Sequence, residues 1–256
     1  MAHAIKCINV SKQFKSAGYA AVDQVNLTIN EGEFITILGS SGSGKTTLLK
    51  MFNRLYQPDS GQIILFGEDI NSIDVIKVRR RIGYVIQQIG LFPHMTVAQN
   101  IATVPQLLKW DKKQIAERTD ELLRLVDLAP EEFKNRYPHQ LSGGQQQRVG
   151  LIRALAVDPK IMLLDEPFGA LDSITRTNLQ QELLRMHREL KKTFLFVTHD
   201  IEEAFSLGDR VIIMNEGKVV QFAAPADIIH HPADDFVASL IESARAKQTF
   251  WENYDD

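Results

Sequence analysis

The stretch that most restricts this chain is Gly39-Ser40-Ser41-Gly42-Ser43-Gly44-Lys45-Thr46-Thr47, set between the apolar run Phe34-Ile35-Thr36-Ile37-Leu38 and Leu48-Leu49-Lys50-Met51-Phe52. The first run is short and partly β-branched, as a buried strand is, and the second consists of helix formers, so the glycine-rich stretch is a loop leading from a strand into a helix. Glycines at 39, 42 and 44 admit backbone conformations closed to other residues. Successive N–H groups can therefore converge on phosphate oxygens at the helix N-terminus. Lys45 then reaches the β- and γ-phosphates, and the Thr46 hydroxyl lies where a Mg²⁺ ion bridging them would sit. A flexible Gly/Ser turn would have no use for a Lys-Thr pair at the helix start.

With 256 residues and 44% hydrophobic side chains, the chain can form one large domain or a core carrying an inserted subdomain. A net charge of −3 leaves no basic excess, so wholesale nucleic-acid binding has no electrostatic support. Cys7 is the sole cysteine, which excludes an internal disulfide and reads as a small buried strand residue. The N-terminus lacks the apolar core of a signal peptide, and a reducing cytoplasm is expected. No run approaches the roughly 18 apolar residues that span a bilayer, so a membrane role must pass through a partner.

Residues 4–10 and 25–29 read as strands, with Lys12-Gln13-Phe14-Lys15 and a Ser-Ala-Gly turn between them. Phe14 is placed to stack on a base or to fill core, with Tyr19 an alternative on the same loop. Pro58-Asp59-Ser60-Gly61 turns into a strand over 62–66, and Ile82 to Ile86 is another, ending at Gln87. From Thr96 to Val126 the period becomes helical, with Asp111 at an N-cap position, and Gln145 to Ala156 is helical again. Buried strands follow at 161–164 and 193–197, with an amphipathic helix over 173–190 between them. Residues 211–215 and 218–222 form a hairpin about Glu216-Gly217, followed by a short helix after Pro225 and another near 235–245. Strands alternating with helices predict an α/β fold on a parallel sheet.

Asp165 closes the apolar run Ile161 to Leu164, and Glu166 follows it, at the strand end where α/β sheets bind ligand. Asp165 would orient the Mg²⁺ shell, while Glu166 would act as general base on the water attacking the γ-phosphorus. Gln87 and His199 also follow strand runs. Gln87 suits a neutral ligand to metal and water, and His199 a donor to γ-phosphate oxygens. The other histidines show no metal-ligand spacing. Leu141-Ser142-Gly143-Gly144-Gln145 opens a helix with a hydroxyl and two glycines, a second anion site by helix dipole and exposed amides. Unless that site is merely a cap, it binds the nucleotide held by another molecule, which implies a head-to-tail symmetric dimer.

These elements in this order resemble the ATP-binding cassette ATPases over roughly residues 4–240. By that resemblance, residues 39–47 with Thr47 at their end are the Walker A motif, Gln87 the Q-loop, residues 141–145 the signature motif and residues 161–166 Walker B. Gly169-Ala170-Leu171-Asp172 is likewise the D-loop, His199 the switch histidine and Phe14 the aromatic that stacks on adenine. The resemblance implies a nucleotide-binding domain over 1–240 with a RecA-like core, an antiparallel β subdomain and an inserted α-helical subdomain near 89–158, and a tail over 241–256. It also implies two ATP molecules, with Mg²⁺, sandwiched in a homodimer that drives a transmembrane permease. Thr46, Gln87 and Asp165 are the implied metal ligands.

The Gly90 to Ile101 segment and the string Leu141 to Arg148 are similar to bacterial importer ATPases. Asn53-Arg54-Leu55, Arg79 to Gln87 and Thr103 to Leu108 resemble importers of glycine betaine, choline and related osmoprotectants. The expectation is a peripheral subunit on the cytoplasmic face of the bacterial inner membrane, working with a permease and indirectly with a solute-binding protein. Ending at residue 256 leaves no room for the C-terminal CBS pair that senses ionic strength in many such ATPases, so regulation by that device is not expected. An importer of another small solute, such as an amino acid or sulfonate, is the alternative. A soluble cassette protein of repair or translation is the rival from a different class.

Overall fold

The computed structural model describes residues 2–14, 18–169 and 171–252. Lys15, Ser16 and Ala17 of the expected turn, Ala170 of the D-loop stretch and the tail residues Asn253 to Asp256 lie outside the described residues. Two compact units divide the chain: residues up to Val78 join those from Thr193 onward, and Arg79–Lys192 form the other.

The first unit contains β1 (His3–Gln13), β2 (Ala20–Asn30), β3 (Phe34–Leu38), α1 (Lys45–Phe52), β4 (Ser60–Leu65) and β5 (Glu68–Asp69). Helix α2 (Val75–Arg80) leads out of it. Strands β2, β1, β4 and β5 form an antiparallel sheet in that order, with Ile5 opposite both Ile29 and Leu65. Its alternation is visible in β2, where Val22, Val25, Leu27 and Ile29 are buried and the residues between are more exposed. Asn9 sits at a register break with a positive φ of 48°, and its N–H donates to the Asn26 side chain. Cys7 is 2% exposed, and burial pushes its thiol pKa upward.

The second unit holds β6 (Ile82–Val85), α3 (Val97–Leu107), α4 (Lys112–Leu125), α5 (Pro130–Phe133), α6 (Gly143–Leu155), β7 (Ile161–Asp165) and α7 (Ser173–Leu190). Thr96 and Asp111 close capping boxes on α3 and α4, the latter at the position read from the sequence. Strands β6 and β7 pair in parallel, with Val85 beside Leu164. The β6 ladder stops at Val85 rather than reaching Gln87, and Ile86 is already 42% exposed.

The chain then completes the first unit with β8 (Thr193–Thr198), α8 (Ile201–Leu207), β9 (Arg210–Asn215), β10 (Lys218–Ala223), α9 (Pro225–His230) and α10 (Asp235–Glu252). There β10, β9, β3 and β8 lie side by side, antiparallel for the hairpin and parallel for the rest. Glu216 and Gly217 both take positive φ, 47° and 81°, as a tight hairpin turn needs. All residues of β3 and β8 are buried, with Phe34 packed between Phe194 and Phe196 at centroid distances of 5.5 and 6.3 Å. Leu38, Ala204, Val211, Ile213, Ile228, Val237 and Ile241 form a core under α8, α9 and α10. Each of these leucine, valine and isoleucine side chains stabilises by about 1.5–3 kcal/mol when removed from water. This core keeps the C-terminal ends of β3 and β8, and the loops that leave them, in fixed relation.

Candidate functional site

In the first unit, Leu38 pairs with Thr198, so the glycine-rich loop and His199 leave adjacent strand ends. Lys45 is 5% exposed, and its ammonium donates to the carbonyls of Gly39 at 2.7 Å and Ser40 at 2.8 Å. Gly44 precedes α1 in the left-handed region at φ 103°, and no side chain caps the helix. A Cβ there would run into the Ala21 carbonyl. The Ser43 hydroxyl is buried without a hydrogen-bond partner among the described residues. Thr46 and Thr47 lie in the first turn of α1. An orphaned hydroxyl and a helix start with no side-chain cap, beside a buried ammonium, are what a phosphate chain would complete.

A cleft of about 640 Å³ opens beside this loop, lined by Ser40, Ser41, Gly42 and Ser43 together with Tyr19 and Lys218. Tyr19 is 65% exposed. Phe14, the aromatic named by the family resemblance, is instead half-buried edge-on against Tyr56 at 5.2 Å, with the Lys12 ammonium 5.7 Å from its ring centre. Tyr19 lines the cleft and Phe14 does not, while Gln13 and Ala20 pair between β1 and β2.

In the second unit, Gln87 and Glu166 each lie two residues beyond the Val85–Leu164 pair, and the Gln87 amide donates to the Glu166 carboxylate at 3.2 Å. Asp165 is 5% exposed and accepts the Tyr84 hydroxyl at 3.1 Å. Glu166 has φ 46°, a conformation costing a non-glycine residue roughly 1–3 kcal/mol, which turns its side chain out of the strand's alternation. The Asp165 carboxylate and the Gln87 amide oxygen of the second unit, and the Thr46 hydroxyl of the first, are each oxygen donors of the kind Mg²⁺ takes.

Helix α6 begins differently. Ser142 accepts the Gln145 N–H at 3.3 Å and Gln145 accepts the Ser142 N–H at 3.0 Å, so a capping box closes the helix start. Ser142 therefore serves as a cap here, and the box leaves the amides of Gly143 and Gly144 outside it. A Cβ on Gly144 would stand 2.8 Å from the Thr175 methyl, so α6 packs closely on α7. One turn on, Arg148 Nε lies 2.9 Å from Glu182, whose carboxyl burial pushes above the usual range against the opposing pull of Arg148. Asp172 caps α7 by accepting the Thr175 N–H at 2.9 Å, and that bond lowers its pKa. Sequence reading raised a cap at Ser142 only as the alternative to an anion site, although its S-x-x-Q spacing was present, and it missed the cap by Asp172.

A buried strand, a glycine-rich loop and a helix that opens on a buried lysine define a P-loop nucleotide-binding fold. A family model described as "ABC transporter" matches residues 22–169, and the chain belongs to that family. It is 55% identical over 241 residues to a choline transport ATP-binding protein of Bacillus subtilis, covering 94% of this chain and 63% of that protein. The chain thus spans less than two thirds of that relative's length. A glycine betaine uptake system ATP-binding protein of Escherichia coli is 54% identical, over 91% of this chain and 75% of its own length. Among solved structures, a dimeric ATP-binding cassette in a post-hydrolysis state bound to ADP and Pi matches with a TM-score of 0.76 at 39% identity, over 86% of this chain and 98% of that one. No helix among the described residues is long and apolar enough to cross a membrane.

Proposed function

We propose that this chain is the ATP-hydrolysing subunit of an importer for a quaternary-amine osmoprotectant such as glycine betaine or choline. The observation that carries the reading is the buried Lys45 ammonium, held on two loop carbonyls at an uncapped helix start. On nucleotide binding Lys45 exchanges those carbonyls for β- and γ-phosphate oxygens, and the amides of residues 42–47 take the rest of the charge. Thr46, Asp165 and, as a neutral donor, Gln87 would hold Mg²⁺, which when bound would neutralise charge on the phosphate oxygens. Glu166 accepts the proton of the attacking water, steadied by its bond from Gln87, and His199 donates to the γ-phosphate. Tyr19, or Phe14 after a rotation off Tyr56, stacks on the adenine.

Ser142, Gly143 and Gly144 face the γ-phosphate held by a second copy, so two chains pair head to tail and Asp172 lies on that interface. The solute class is supported by the likeness to choline and glycine betaine transport proteins, since no residue of an ATPase unit touches cargo. A permease segment docks beside Leu91, Phe92 and Met95, in the stretch that begins at Gln87, at the cytoplasmic face of the membrane.

Glu166→Gln is expected to keep ATP binding, lose at least about 100-fold in turnover, and trap an ATP-dependent dimer visible by light scattering. Full turnover in that variant removes Glu166 as the base. Mixing Lys45→Ala with Ser142→Arg protein leaves one intact composite site per heterodimer, so restored activity supports trans pairing; none, with heterodimers present, rejects it. For the solute, deleting the gene in a strain without redundant importers should abolish uptake of betaine or choline. Unaltered uptake of both rejects the solute class and leaves the ATPase reading in place.

A further inference from the structure

His199 is exposed, yet the residues on either side of it are not left to move. Thr198 is 2% exposed and its hydroxyl donates to the Glu203 carboxylate at 2.6 Å. The same hydroxyl accepts the Asp200 N–H at 3.0 Å. Asp200 in turn accepts the N–H groups of Glu202 and Glu203, at 2.8 and 3.2 Å. The result is a closed ring running from Glu203 through Thr198 and Asp200 back to Glu203, with His199 between two of its members. A Thr36 hydroxyl bond of 2.8 Å to the Ala204 carbonyl fastens the next residue of α8 to β3, the strand that feeds the glycine-rich loop.

Glu203 is 8% exposed, and removing a carboxylate from water costs several kcal/mol unless hydrogen bonds compensate it. The short O–H···O distance matches a charged acceptor. An apolar side chain would pack α8 onto the sheet with no such cost, so helix packing alone does not account for a carboxylate here. We infer that Glu203 is a positioning residue for His199: the ring fixes the peptide planes on both sides of His199 and hence the direction in which its side chain leaves the backbone. Glu203 itself touches no nucleotide. The inference rests on the reading of His199 as a donor to the γ-phosphate.

The test uses the full chain. Glu203→Gln keeps the shape and weakens the acceptor, and Thr198→Val removes the hydroxyl; each should lower kcat about tenfold while leaving the affinity for ATP within twofold. Thr198→Ser, which keeps the hydroxyl, should restore kcat. In a His199→Ala background, Glu203→Gln should have no further effect on kcat. An independent readout is the ATP-induced shift of the His199 ring resonance in labelled protein, expected to be lost in Glu203→Gln and kept in Thr198→Ser. Full turnover in His199→Ala overturns the reading of His199. Reduced turnover in His199→Ala, combined with an unchanged His199 shift in Glu203→Gln or a further tenfold loss on adding Glu203→Gln to His199→Ala, overturns the positioning role alone.

Discussion

Helices α1 and α6 both start on glycine-rich sequence, yet one start is open and the other is shut. Before α1 there is no capping side chain; the preceding glycine is left-handed, a serine hydroxyl is buried without a partner among the described residues, and a lysine fills in by bonding loop carbonyls. Before α6, Ser142 and Gln145 satisfy each other's backbone. An end that receives a ligand within its own chain can leave its donors unspent, because the ligand returns what the missing cap withholds. On the proposed head-to-tail pairing, the α6 end awaits a ligand held by another molecule and must hold its helix together alone until that molecule arrives.

Lys45→Ala strikes the open end hardest. Losing two charge-assisted bonds to phosphate should weaken ATP binding by roughly 100-fold or more, measurable by titration calorimetry. Wild-type affinity would mean that the open end is not the nucleotide site. Gly44→Ala comes next, since a left-handed residue with a Cβ and a collision with the Ala21 carbonyl should cost about 2–4 kcal/mol in thermal unfolding. A midpoint equal to wild type would show that the loop relaxes freely. At the closed end, Ser142→Ala should cost about 1 kcal/mol of stability with nucleotide binding unchanged, and Ser142→Thr should recover most of it. Gln145→Ala removes half of the box and should cost only a few tenths of a kcal/mol; a larger loss than that of Ser142→Ala would invert the assignment of the cap.

The parts of the fold legible in the sequence are those whose period and burial agree. Strands β3, β7 and β8 are apolar throughout because they are buried throughout, and α7 follows its leucine stripe with Leu179 and Leu183 inside. The two-residue β5 left no periodic trace, and neither did α2, whose sole buried residue is Val78. Helix α8 was hidden because its start carries Glu202 and Glu203, one of them buried for a reason only the Thr198 bond reveals. At the site, residue types were readable and conformations were not. Nothing in an Asp-Glu pair announces that Glu166 has φ 46°. Likewise, neither aromatic announces that Tyr19 lines the cleft while Phe14 packs on Tyr56.

The burial of Cys7 within β1 has a practical side. Attack on a maleimide or a methanethiosulfonate requires a thiolate that solvent can reach, and a thiol 2% exposed with a raised pKa offers neither. As the chain contains no other cysteine, a spin label or fluorophore carried by Ile174→Cys, at a position 76% exposed, would react alone on the native background, without first removing any cysteine. Distances between two copies so labelled could then be followed as nucleotide is added, with every signal coming from a chosen address.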